Sequence, residues 1–83
     1  MTADTYIRVR ALVANVTGLE EASLGEGDVL GALLDSLEWV DLLQAIEGSF
    51  EITIADNEAI DIDTVGQLYE LVVRKLDDKG EAA

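Results

Sequence analysis

The sequence predicts an all-α fold, a small bundle of three main helices plus one short helix, with a long loop between helices 1 and 2. Three observations lead there. Apolar residues recur at helical spacing in three separate stretches. Two helix starts carry capping signatures, Asp35-Ser36-Leu37-Glu38 and Thr64-Val65-Gly66-Gln67. The apolar link Ile52-Thr53-Ile54, extended or looped, has no second strand to pair with. A chain of 83 residues, 49% of them hydrophobic, leaves room for a single domain over 1–83 with a modest core.

From Thr5 to Val16, Ile7, Val9, Ala11, Leu12, Val13, Ala14 and Val16 alternate with Arg8, Arg10 and Asn15 at a helical interval, and Gly18 ends the helix. The stretch from Thr17 to Leu34 holds Gly18, Gly25, Gly27 and Gly31, with isolated apolar anchors at Leu19, Leu24, Val29 and Leu30. That pattern predicts a long pinned loop, a feature that often serves function. A second helix runs from Asp35 to Phe50. Leu37, Val40, Leu42, Leu43, Ile46 and Phe50 form its apolar side, and Glu38, Asp41, Gln44 and Glu47 lie opposite. Asp35 is its N-cap, which places Ser36 at the first helical position. Asp56 to Ile60 predicts one helical turn. A last helix runs from the Thr64 cap to about Leu76 on a stripe of Val65, Leu68, Val72 and Leu76, and a charged tail, 77–83, frays. The stripes leave room for a narrow apolar cleft.

Eighteen acids face five bases, and the formal net charge is -13. The bases, Arg8, Arg10, Arg74, Lys75 and Lys79, sit near the two ends, so nothing between Ala11 and Val73 is cationic. Nucleic acid and anionic membrane surfaces are excluded as partners, because both are recognised by clustered Lys and Arg. No stretch approaches the roughly 20 apolar residues needed to cross a bilayer, and Met1 to Arg10 lacks a signal-like apolar run, so a cytoplasmic monomer is expected. Partners should be basic.

The chain has neither histidine nor cysteine, which removes disulfides, thiolate metal sites, and the Ser-His-Asp and Cys-His arrangements of nucleophilic catalysis. A glycosidase-type carboxylate pair needs a sugar-sized cleft that so small a bundle does not supply. Asp61, Asp63 and Gly66 fit the first, third and sixth positions of a calcium loop, but Val65 and Val72 stand where oxygen ligands are required, so no metal site is expected. Independent catalysis is therefore not expected of this chain.

What remains is Leu33-Leu34-Asp35-Ser36-Leu37-Glu38, a serine at a helix start behind a glycine-bearing loop. In its context this resembles the attachment motif of the acyl carrier protein family. Val40-Asp41-Leu42, Ala45-Ile46-Glu47 and Phe50-Glu51-Ile52 follow it, then Ile54-Ala55-Asp56 and Ile62-Asp63-Thr64-Val65-Gly66, so the resemblance spans nearly the whole chain. It implies that Ser36, flanked by Asp35 and Leu37, accepts 4′-phosphopantetheine from coenzyme A through a separate phosphopantetheinyl transferase. The arm then holds acyl groups as thioesters. It also implies partners with basic patches among acyl-loading, condensing and acyl-transferring enzymes, docking on Glu38, Trp39, Asp41, Glu47 and Asp56.

The chain departs from the common fatty-acid carriers at several positions. Gly48 and Ser49 stand where acids are usual, Gln44 replaces an apolar contact, Ala55 replaces a proline, and Trp39 replaces a small residue one turn after Ser36. Leu33-Leu34 is more like carriers of D-alanyl or other small amino and hydroxy acids. These departures favour polyketide or related specialised biosynthesis. The alternatives are an aminoacyl or hydroxyacyl carrier, then fatty-acid synthesis, and, outside carriers, an acidic helical adaptor.

Overall fold

The computed structural model describes residues 3–80, and the part of the predicted tail at 81–83 lies outside the described residues. Three long helices, α1 (Ala3–Thr17), α3 (Ser36–Phe50) and α5 (Val65–Asp78), enclose the core, and two short ones, α2 (Leu30–Leu33) and α4 (Asp56–Ile60), lie in the connections. A 3-10 turn at Glu21–Ser23 breaks the first connection further. The bundle is thus the predicted one, with more short helix in the loop than glycine content suggested. Two of the expected loop anchors, Leu24 and Leu30, are buried, whereas Leu19 and Val29 are exposed.

α1 packs against both α3 and α5. Its buried face is Val9, Val13 and Ala14, and these meet Leu42, Ile46 and Phe50 of α3 and Val65, Leu68 and Val72 of α5 in one core. Leu71 is buried as well. Ile7, Leu37 and Val40, placed on apolar faces by period alone, are exposed instead. A 3.6-residue period identifies a broad stripe, and only the direction of neighbouring helices decides where its edges emerge. The edge-to-face pair Tyr6 and Tyr69, 5.2 Å apart at 81°, joins α1 to α5.

Gly18 ends α1 in the left-handed region, at φ 78°, with its N–H donating to the Ala14 carbonyl at 2.8 Å. The long connection is then laced to the start of α5. Gly66 N donates to Glu26 O at 2.9 Å, Val65 N to Asp28 O at 3.0 Å, and Leu30 N to Asp63 O at 2.8 Å. A Cβ on Gly66 would sit 3.1 Å from both Cβ and O of Glu26, so glycine is what lets the loop approach so closely. An isolated antiparallel bridge, Val29 to Thr64, belongs to the same seam. This lacing holds Leu30 and Leu34 beside the start of α3.

α5 continues through Asp78, past the predicted stop at about Leu76. Lys79 Nζ donates to the carbonyls of Phe50 at 3.3 Å and Glu51 at 2.6 Å, so the chain is anchored at that point where fraying was expected. Tertiary contact overrode the charged, small-residue composition of the segment.

Candidate functional site

Asp35 is the N-cap of α3, as predicted. Its Oδ1 accepts from Glu38 N at 2.8 Å, while Glu38 Oε1 accepts from Asp35 N at 3.0 Å. The reciprocal pair closes a capping box and leaves Ser36 at the first helical position, exposed. The amides of Ser36 and Leu37 have no acceptor within the helix, and the positive end of the helix dipole lies there. Leu37, the next residue, is 78% exposed and points away from the core.

Beside Ser36 opens a cavity of about 390 Å³. Asp35, Ser36 and Trp39 form its α3 side, Leu30 and Leu34 come from α2 and its C-cap, and Ala59, Ile60 and Ile62 come from α4 and just beyond. Val29, Gly31 and Asp63 complete its lining. Sequence reasoning missed the α4 wall and Val29. The apolar Ile60 and Ile62 were visible, but nothing local says that a turn more than 20 residues from Ser36 faces it.

The residues expected to dock partners do not behave alike. Asp41 and Asp56 are exposed. Glu38 is half-buried and tied to the Asp35 amide. Glu47 is half-buried and accepts from Ile54 N at 2.8 Å, which fixes the link that follows α3; it does not stand on a fully exposed side as the helical period implied. Trp39 is half-buried, packed against the core on one side and lining the cavity on the other.

Ala55, in place of the usual proline, keeps an N–H, and that N–H donates to Glu58 Oε1 at 3.0 Å. The same oxygen pairs with Lys75 Nζ at 2.7 Å, clasping α4 to α5. The Lys75 hydrogen bond, helped by the Ala55 N–H, holds the Glu58 carboxyl below its ordinary value of 4.5.

Four of the five cations are engaged within the molecule. Arg8 lies over the Phe50 ring at 4.2 Å and donates to Ser49 O at 2.9 Å and Oγ at 3.1 Å. Arg10 lies over Tyr6 at 5.3 Å, Lys75 pairs with Glu58, and Lys79 holds the end of α3. None of them lines the cavity at Ser36. Among the described residues no cluster of carboxylates could hold a metal ion, and no helix is long and apolar enough to cross a membrane.

An exposed serine at a helix start, beside an open apolar cavity and without any base to activate it, suits a tethering site better than a catalytic one. The class follows from comparison. A family model described as the phosphopantetheine attachment site matches residues 8–72, and the chain belongs to that family. More particularly, it is 41% identical over 78 residues to an acyl carrier protein of Treponema pallidum subsp. pallidum, covering 88% of this chain and 96% of that one. An acyl carrier protein of Trieres chinensis is 38% identical over 76 residues, covering 87% and 92%.

The fold matches the NMR structure of the HMG-ACPI domain from the CurA module of Lyngbya majuscula. The TM-score is 0.76 at 20% identity, over 88% of this chain and 75% of that one. The protein is an acyl carrier, not an enzyme; its prosthetic group is 4′-phosphopantetheine, and its partners include a phosphopantetheinyl transferase and acyl-handling enzymes. The residues present fit that group, with a reachable hydroxyl, two unsatisfied helix amides for a phosphate, and an open cavity beside them.

Proposed function

We propose that Ser36 is the attachment point of the phosphopantetheine arm and that the chain is a carrier for a polyketide or related specialised pathway. The observation that carries the first part is the capping box. It satisfies the Glu38 amide internally and leaves Ser36 and Leu37 amides available to a phosphate. Those amides and the helix dipole offset the repulsion from Asp35 and Glu38. In the attachment, Ser36 Oγ forms a new P–O bond as the bond to adenosine 3′,5′-bisphosphate breaks. The hydroxyl proton passes to a base of the transferase, since this chain has no histidine or cysteine to take it. Once bound, the arm supplies a thiol that carries the acyl group as a thioester.

The pathway reading rests on the far end of α3. Where common fatty-acid carriers present acids, this chain has Gly48 and Ser49, and Ser49 is engaged by Arg8. Those two positions offer no acid and a cation lies against one of them, so docking falls to the Ser36 end, to Asp41, and to Asp56 on α4. Glu38 and Glu47 add charge there from bonded positions. Partners with basic patches are steered by this charge, and the interface stays modest enough to release. Asp41→Lys should slow partner turnover in a salt-dependent way without loss of helix, whereas Glu47→Lys also releases the Ile54 amide and should cost stability.

The deciding measurement is intact mass after incubation with coenzyme A and a broad-specificity transferase. The wild type should gain one arm and Ser36→Ala none, while circular dichroism shows both folded. A folded wild type without mass gain, or a gain retained by Ser36→Ala, would overturn the assignment of the arm to Ser36.

A further inference from the structure

The half-buried Trp39 stands one helical turn after Ser36 on the same face of α3, and both side chains line the cavity. On its other side Trp39 packs against the core. Behind it, Leu42 and Ile46 are completely buried, so no open channel continues inward. The other walls are Leu30, Leu34, Ala59, Ile60 and Ile62, apolar throughout. Ile60 is 78% exposed and forms an apolar lip. The charged groups that face the space are Asp35 and Asp63, both acidic, and no cation answers them.

Resting on the assignment of the arm to Ser36, we propose that Trp39 sets the size of the acyl group that shelters beside it, and Asp35 and Asp63 its charge class, so that short neutral apolar groups are admitted. At about 390 Å³ the cavity lies at the low end of ligand-sized pockets. A short apolar chain gains by covering Leu30, Leu34 and Ile60. A long one meets the Trp39 ring before the core and stays outside. A carboxylate-bearing group is disfavoured because it would leave water for an apolar cavity whose lining includes two acids and no cation.

Trp39 is the only tryptophan, so its emission reports the cavity directly. The chain is loaded from butyryl-, hexanoyl-, hexadecanoyl- and succinyl-coenzyme A, and loading is verified by mass. Emission and the rate of thioester cleavage by hydroxylamine are then measured. Butyryl and hexanoyl loads should shift Trp39 emission relative to the unacylated arm. They should also cleave more slowly than the hexadecanoyl and succinyl loads by about tenfold, the population shift that burying about two methylenes produces. Trp39→Leu should extend that protection to the hexadecanoyl load, and Trp39→Phe should extend it less.

Equal emission and equal cleavage for all four verified loads would overturn this inference alone. So would hexadecanoyl protection in the wild type. A folded chain that gains no arm at all would overturn the Ser36 assignment and this inference together.

Discussion

At its N-terminal end α3 is closed wholly by its own neighbours in sequence, Asp35 and Glu38, whereas at its C-terminal end the local turn at Glu51 is reinforced by cations from α1 and from the end of α5. Arg8 of α1 covers the Phe50 ring and binds Ser49, and Lys79 binds the carbonyls of Phe50 and Glu51. Charge has the favourable sign at both ends, with acids at the positive pole of the helix and bases at the negative one. The consequences differ. A cap made within four residues uses no surface from elsewhere and leaves the first turn open to a ligand. A cap made from 28 to 41 residues away stitches three helices together and uses up the surface it covers. The working end of the helix is the self-sufficient one.

The largest effect should come from breaking the distant cap at its ring. Phe50→Ala removes a buried aromatic and the platform under Arg8, and should cost about 3–5 kcal/mol by urea unfolding. Transferase modification of the folded fraction should be unchanged. If it falls in step with stability, the two ends are coupled and the contrast fails.

A smaller loss is expected at the local cap. Asp35→Ala should cost about 1 kcal/mol, and Asp35→Asn should restore most of it. Here the rate of Ser36 modification should fall with the first turn, as read by mass against time.

Glu51 tests the junction between the two kinds of closure. It takes φ 55° and ψ 49° after α3, where its N–H and that of Ile52 both donate to Glu47 O. A left-handed non-glycine residue is strained by about 1 kcal/mol. Glu51→Gly should therefore raise stability by about 0.5 kcal/mol once the added freedom of the unfolded chain is allowed for. Lys79 holds the backbone carbonyl, so its bond survives the change.

The mildest test is acidification. Glu58 titrates below 4.5 in the folded chain, so its contribution is complete above that value and lost as pH falls through the folded pKa. Between those two values the α4 clasp should loosen. Lys75→Ala should reduce this pH dependence, followed by hydrogen exchange of the Ala55 amide, which keeps its own bond to Glu58.

Capping boxes were fully legible in the sequence, because donor and acceptor lie three residues apart and chemistry alone pairs them. Thr64 and Gln67 bear this out as well as Asp35 and Glu38. The core stripes of α3 and α5 were legible in their centres. Their edges were not. Leu37 and Val40 share the apolar period of α3, yet no helix covers them, while Glu47 on the polar side turns to hold Ile54. Trp39 was identified as unusual without its surroundings being known.

By itself the sequence determined the three long helices and the turn at Asp56–Ile60, where α3 begins, and that Ser36 stands there without a base to activate it. These follow from short-range spacing, side-chain hydrogen-bonding capacity, and the absence of histidine and cysteine. Tertiary structure alone decided that α2 and α4 wall a cavity beside Ser36, that Trp39 lies between it and the core, and that Arg8 and Lys79 meet at the other end of α3. The contacts at the far end of α3 join residues 28 to 41 positions apart, and the α4 wall is likewise remote in sequence from Ser36. Their pairing is set by how helices pack around a common core, for which no local pattern in the chain is a signal.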